Sequence, residues 1–338
     1  MRYLVTGGSG FLGAHVVRAL LGRGHEVRAV VRGSSPILTL EGLPIERVVG
    51  DLDSIESCRP LVRGMDGILH VAGLYDSSPG GIGRMETIHV KATRHLCEAA
   101  LVEGVEHFLL CSSSITLPYG PIDRPATEDD PDPFMEGCPY KGPLLAYYRT
   151  KKEAEALALG YGAVGLRVVI VHPDFVVGAW DLKPTSGQMI LQMARAPWIP
   201  FYPPGGKNFM DAEDCGLAHA LAMEKGKAGQ RYFLGNENLT YYLYMQMVAR
   251  VVGRPAPRFP LPREVGTLIG KGGDRLSPWL PPEVASLGSS LVESMFRGRY
   301  RDPSRARVEL GIPTTPTLTA IERAWRWFRD HGYVRGGH

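Results

Sequence analysis

Tyr147 and Lys151 stand four residues apart in a stretch that reads as a helix beginning near Leu144, so their side chains share one face. A free phenol has a pKa of about 10, and proton exchange near neutrality calls for a cation beside it, which a lysine one turn away supplies. Tyr148 and Lys152 make an overlapping copy of the pair, and spacing alone does not choose between them. A second source of chemistry is the run Ser112-Ser113-Ser114, which follows the apolar segment Phe108–Cys111. Hydroxyls at the carboxyl end of a strand can hold a carbonyl oxygen while a phenol protonates the alkoxide that develops from it.

Such a site needs a partner for the carbonyl carbon, and the N-terminus offers a place to hold one. The short apolar strand Arg2–Val5 runs into Thr6-Gly7-Gly8-Ser9-Gly10-Phe11-Leu12-Gly13 and then a helix over Phe11–Arg23, with Leu12, Val16, Ala19 and Leu20 on its apolar face. Gly7, Gly10 and Gly13 permit a sharp turn, close approach of backbone to a pyrophosphate, and tight packing of the helix. The free amides and positive dipole end of that helix favour an anionic phosphate.

The elements that position these groups alternate. Strands are expected near 2–6, 26–32, 45–49, 67–72, 107–112 and 165–172, with helical stretches between them. Continuous apolar runs such as Phe108–Cys111 and Leu166–Val171 fit strands covered on both faces. The expected fold class is therefore α/β, a Rossmann-type doubly wound parallel sheet, with ligands over the carboxyl ends of the strands. Residues 1–175, joined by about 208–238, would form the dinucleotide-binding domain. Residues 176–207 and 239–338, with helices near 188–195, 240–252 and 317–331 and a Pro/Gly-rich stretch from Pro255 to Pro282, would form a smaller substrate lobe.

The bulk properties exclude other classes. With 338 residues, 44% hydrophobic content and a net charge of +3, the chain can bury a large core and carries no footprint for nucleic acid or a membrane. Cys58, Cys97, Cys111, Cys138 and Cys215 are dispersed without metal-ligand spacing and read as reduced thiols of a cytoplasmic protein, with no metal. The apolar stretch Val168–Trp180 is broken by His172, Pro173 and Asp174 and falls short of the roughly twenty residues a membrane span requires.

Taken together, the Thr6–Gly13 string, Gly50-Asp51-Leu52, His70-Val71-Ala72-Gly73, the three serines, Tyr147-x-x-x-Lys151 and His172-Pro173 resemble the extended short-chain dehydrogenase/reductase family. Lys183–Gly187, Gly235–Thr240 and Gly253–Pro257 resemble segments of its dihydroflavonol reductase-like and hopanoid-associated sugar-epimerase-like branch. The resemblance selects Tyr147 and Lys151 as the catalytic pair, because Lys151 is followed by a pattern ending in Ala154-Glu155, and it selects Ser114 as the catalytic hydroxyl. It implies that Lys151 also holds the nicotinamide ribose and that Asp51 and Leu52 hold the adenine. Ala72, Gly73 and Pro173 would line the path of the cofactor, and the helices near 84–103 and 144–160 would pair in a homodimer.

A site that prefers NAD usually places an acid at the end of the second strand, and Val30-Val31-Arg32-Gly33-Ser34-Ser35 has none. Arg32, assisted by Ser34 or Ser35, can pair with a 2′-phosphate, so NADP(H) is the expected cofactor and NAD(H) the alternative. Relatives in the family commonly read Asn-Val-x-Gly-Thr where this chain has His89-Val90-Lys91-Ala92-Thr93. Sugar-nucleotide members carry Asn-Pro and Arg-Asp-Tyr/Phe, where this chain has His172-Pro173 and Lys207-Asn208-Phe209. These departures, with Trp180, Trp198, Phe201 and Tyr202 in the lobe, favour reduction of a ketone or aldehyde on a small, partly apolar molecule. Tyr75, Phe175, Val176 and Trp180 are expected on the substrate side. The alternatives are a nucleotide-sugar epimerase or dehydratase with tightly bound NAD(P), or a dinucleotide-binding regulator without turnover.

Overall fold

The computed structural model describes residues 1–131, 134, 138–195, 200–276 and 288–334; Trp198 lies outside them. Seven parallel strands form the central sheet: β1 (Arg2–Thr6), β2 (Glu26–Val31), β3 (Glu46–Val49), β4 (Gly67–His70), β5 (His107–Cys111), β6 (Arg167–Pro173) and β10 (Arg231–Leu234). Their order is β10-β6-β5-β4-β1-β2-β3, so the sheet reverses direction of growth between β1 and β4. Thr6, the last residue of β1, is in register with both Val30 and His70. A crevice at such a switch point is where a doubly wound sheet binds ligands.

Leu4, Ile68 and Leu69 on the central strands are fully buried, each contributing about 1.5–3 kcal/mol through removal from water. One face is covered by helices α1 (Phe11–Gly22) and α7 (Ala212–Lys225), through Val16, Val17, Leu20, Ala218 and Leu221. On the other face lie α2 (Ile55–Val62), α4 (Ala92–Glu103) and α5 (Gly142–Gly162), which bring Leu61, Val62, Leu96, Ala100, Ala154 and Ala158 to the core. The short α3 (Gly81–Glu86) runs through a π-helical turn, Thr87–Lys91, into α4. Asp211 starts α7 by accepting from the amides of Glu213 at 2.8 Å and Asp214 at 3.2 Å.

Beyond β6 the chain builds a second layer. Strands β7 (Phe175–Val177), β9 (Gly206–Asp211) and β11 (Glu237–Thr240) form a small mixed sheet, and β8 (Phe201–Tyr202) pairs with β12 (Phe259–Pro260). Helices α6 (Gln188–Arg195), α8 (Tyr241–Val252) and the terminal helix α12 (Thr317–Asp330) close a core around Phe209, Tyr244, Val248, Ile321, Ala324 and Phe328. The Pro/Gly-rich stretch holds a helix that composition conceals, α9 (Arg263–Leu276), despite four glycines within it. It packs on α10 (Ser289–Met295), and α11 (Ser304–Leu310) returns to the main sheet through Ala306 and Leu310. Among the described residues no helix is long and apolar enough to cross a membrane, no group of acids, histidines and cysteines is arranged for a metal, and the five cysteines are free.

Candidate active site

Gly7 has φ 71°, and a Cβ there would stand 2.7 Å from the backbone of Ala72, so only glycine lets the β1 turn touch the end of β4. Gly10 forms the N-cap of α1, donates its amide to the Gly7 carbonyl at 2.9 Å, and has no side chain to cap the helix. The helical ladder begins with Ala14 donating to the Gly10 carbonyl at 2.9 Å, which leaves the amides of Phe11, Leu12 and Gly13 without helical acceptors. A Cβ on Gly13 would fall on the Gly7 carbonyl oxygen. The cradle fits a pyrophosphate: backbone donors converge, no acid sits in the first turn, and the space a side chain would occupy is already taken by backbone.

Of the three serines after β5, Ser113 is the one whose side chain bears on the Tyr147 phenol. Ser113 follows β5 in extended backbone (φ −156°, ψ 148°), half-exposed, and its Oγ accepts the Ile115 amide at 3.4 Å. Ser114, the expected catalytic hydroxyl, opens a 3-10 turn and is 6% exposed. The Ser113 peptide is held from behind: its carbonyl accepts from Thr116 Oγ1 at 2.8 Å and from His172 Nδ1 at 3.3 Å, while Ser112 donates to Glu155. Burial pulls His172 down to about 4, against the pull of Glu155, so it is a neutral clamp at neutral pH.

Tyr147 and Tyr148 part company on α5. Tyr147 packs edge-on against Tyr75 (5.7 Å between ring centroids) and His89 (5.5 Å), whereas Tyr148 joins Phe134 and Tyr140 and lies under the Lys152 ammonium. Lys151 is 4% exposed and donates from Nζ to the Cys111 carbonyl at 2.9 Å. A Cβ on Gly73 would come within 3.2 Å of that ammonium, so the lysine fills the space left bare by the glycine. Burial lowers the Lys151 pKa, opposed by Cys111 and Glu155. Burial likewise pushes the Tyr147 phenol up to about 12, with the Ser113 bond opposing it. The expected lowering of this phenol by Lys151 is therefore corrected: burial is the largest effect on it, and the phenol stays protonated at neutral pH.

His89 accepts the Leu74 amide on Nε2 at 3.1 Å, which leaves Nδ1 to donate to Thr150 Oγ1 at 2.8 Å. Burial and the Lys151 charge bring its pKa down to about 2. The neutral ring clips the peptide after Gly73 to α5.

At the other end of the crevice Arg32 and Ser34 are exposed in the turn after β2, where Ser35 Oγ accepts the Arg32 amide at 3.2 Å. The Arg32 guanidinium has no hydrogen bond or ion pair among the described residues. Asp51, exposed after β3, accepts from Ser57 and from the Asp53 amide at 3.2 Å, and Leu52 is nearly buried beside it. Ala72 donates its amide to Thr6 Oγ1 at 3.3 Å, and Pro173 ends β6.

Residues 3–235 match the model of the NAD dependent epimerase/dehydratase family. The chain belongs to that family. Its relatives include a protein of Synechocystis sp. named "Putative dihydroflavonol 4-reductase", 33% identical over 98% of this chain and 96% of that protein. Sterol demethylase protein B of Methylococcus capsulatus is 32% identical over 99% of this chain and all of that protein (100%). A solved nucleoside-diphosphate-sugar epimerase from Pseudomonas aeruginosa superposes with a TM-score of 0.80 at 28% identity, covering 99% of each chain. As a member of this family the chain is an NAD(P)-dependent oxidoreductase of the extended short-chain dehydrogenase/reductase type.

Of the four residues expected on the substrate side, Tyr75 meets Tyr147, and Phe175 and Val176 open β7. Phe175 also packs on Phe209 and Tyr244, and Val176 is 8% exposed, so both serve the lobe core as well. Trp180, at φ 68°, packs against Arg18 of α1, Trp327 and His331. Sequence reasoning missed a polar cluster in which Asp174 meets Arg301 at 3.0 Å and Lys207 at 3.6 Å, with Arg299 close by. Burial, with Arg299 and Arg301, brings Lys207 down to about 8 against the pull of Asp174. The signal available was the unusual Arg299-Tyr300-Arg301 triplet.

Proposed function

We propose that this member of the family is an NADPH-dependent reductase of a ketone or aldehyde, with Tyr147 as the proton donor and Ser113 as the hydroxyl that holds the carbonyl oxygen. The reading is carried by one observation: the Ser113–Tyr147 hydroxyl pair lies beside Lys151 and Gly73 where β4 touches the glycine turn. A phenol with a pKa near 12 is an acid in stock at neutral pH, as reduction requires. The dinucleotide supplies the hydride when bound. The amides of Phe11, Leu12 and Gly13 would bind its pyrophosphate, and Lys151 its nicotinamide ribose. Asp51 and Leu52 would take the adenine, and Ala72, Gly73 and Pro173 the path to the nicotinamide end. The unpaired Arg32, with Ser34 and Ser35, would take the 2′-phosphate. Tyr75, Phe175 and Val176 would present apolar surface to the substrate.

The test is loss of reduced-nicotinamide absorbance with a panel of ketones and aldehydes, for wild type and Tyr147→Phe. Turnover by wild type alone supports the reading, and full activity of Tyr147→Phe ends it. The similarity to the Pseudomonas aeruginosa epimerase favours a second reading, a nucleotide-sugar epimerase with resident NAD(P), which converts its sugar with no net use of cofactor.

A further inference from the structure

The glycine turn can present amides to an anion only while its carbonyl oxygens point elsewhere, because a carbonyl dipole that faces a phosphate repels it. Two of these oxygens are held by the turn and its helix: the Gly7 carbonyl accepts from the Gly10 amide and the Gly10 carbonyl from the Ala14 amide, each at 2.9 Å. The Ser9 carbonyl, which lies between them, is held from outside. Thr39 Oγ1 donates to it at 3.1 Å. Thr39 is 0% exposed, so the Ser9 oxygen that meets it points into the protein and away from the crevice.

Thr39 stands in a 3-10 turn, Leu38–Leu40, on the connection between β2 and β3. Its neighbour anchors that turn: Leu40 is buried in the core that also holds Val16, Val17 and Leu20 of α1. One connection therefore grips both halves of the β1–α1 unit, the helix through Leu40 and the glycine turn through Thr39. The same connection begins with Arg32 and Ser35, but that end is closed on itself, the Ser35 amide donating to the Arg32 carbonyl at 2.9 Å and the Arg32 amide to Ser35 Oγ at 3.2 Å. The two ends are separately held. Without the Thr39 hydroxyl the Ser9 carbonyl is a half-buried acceptor with no donor among the described residues, free to swing toward water and so toward the phosphates.

We propose that Thr39 is a positioning residue for the pyrophosphate of the cofactor: its hydroxyl keeps the Ser9 carbonyl turned inward, so that the amides after it face the phosphates, and it does this without touching the cofactor itself. The inference rests on the assignment of the glycine turn to a dinucleotide, and is the same for a reductase and for an epimerase. The β2–β3 connection then serves phosphate recognition at both ends, through contact at Arg32 and through orientation at Thr39.

Two ligands are titrated by calorimetry into the full chain as wild type, Thr39→Val and Thr39→Ser: ADP, which carries the pyrophosphate without a 2′-phosphate, and 2′-AMP, which carries the reverse. Thr39→Val keeps the shape of the side chain and removes the donor, so ADP should bind about threefold to tenfold more weakly while 2′-AMP binds as before. Thr39→Ser keeps the donor and should bring ADP affinity back to within about twofold of wild type. Retained 2′-AMP binding shows that Thr39→Val folds. Equal ADP affinity in wild type and Thr39→Val overturns the role. So does a loss that 2′-AMP shares in the same proportion, which marks general loosening of the fold, and so does a Thr39→Ser protein as weak as Thr39→Val. Wild type that binds neither ADP nor NADP+ removes the dinucleotide from the turn and Thr39's role with it, whereas wild type and variants that bind both alike strike Thr39 alone.

Discussion

The Ser113 side chain bears on the Tyr147 phenol although one leaves the end of β5 and the other projects from the second turn of α5. The pair exists because His172, Thr116 and Glu155 fix the serine turn while His89 fixes the helix side, so two hydroxyls are set before any substrate arrives.

Removing the phenol tests this directly. Tyr147→Phe should lower kcat by about two to four orders of magnitude in the reductase assay, with the dissociation constant for NADPH unchanged. Ser113→Ala should cost about tenfold or more, and Ser114→Ala should stay within about threefold of wild type. Initial rates on the three variants check the assignment, and a greater loss at Ser114 than at Ser113 would reverse it.

Arg32 should set cofactor choice. Its guanidinium is exposed, and a charge-assisted bond to a 2′-phosphate corresponds to about tenfold or more in affinity. Arg32→Ala should reduce the ratio of kcat/KM for NADPH over NADH by that factor. An unchanged ratio removes Arg32 from the site.

The turn tolerates no Cβ at Gly13. Gly13→Ala would force the new methyl onto the Gly7 carbonyl, and displacing the helix or the turn should cost about 1–3 kcal/mol in thermal or denaturant unfolding. Cofactor affinity should fall with it, because the amides of residues 11–13 move away from the phosphates.

Acid stability should be governed by buried neutral histidines. Burial lowers His15, His172 and His219 from 6.5 to about 4 and His70 to about 3. Between these values and 6.5 the unfolded chain binds protons that the fold refuses. Their contribution is therefore fully present above pH 6.5 and is lost as pH falls toward 4. Each should remove about 1.4 kcal/mol per pH unit within that window. Thermal melts from pH 7 to 4.5 should show Tm dropping throughout, and His219→Gln should flatten the slope. A Tm independent of pH in this range would refute the account.

Much of this was legible in the sequence because its signals are local. Apolar runs such as Phe108–Cys111 can only be strands covered twice, and a glycine turn between strand and helix leaves little freedom. Which serine serves the site was not legible from spacing, since the backbone departs from β5 at Cys111 and three identical residues carry no mark of which faces the crevice. Helix α9 was hidden because Gly266, Gly270, Gly272 and Gly273 read as loop, and packing on α10 overrides that preference. The cluster at Arg299 joins residues from β9, the loop after β6 and the approach to α11, a convergence only the tertiary fold creates.

The Ala179–Trp180 turn has one more consequence. His15 bonds the Ala179 carbonyl at 2.9 Å, Arg18 lies 4.3 Å from the centre of the Trp180 ring, and Trp327 meets that ring from the terminal helix. The helix whose first amides face the glycine turn is thus riveted, two turns later, to the layer built after β6. Any sliding of one against the other must restack an indole, so Trp180 is a native fluorophore at the joint, able to report closure without an attached dye.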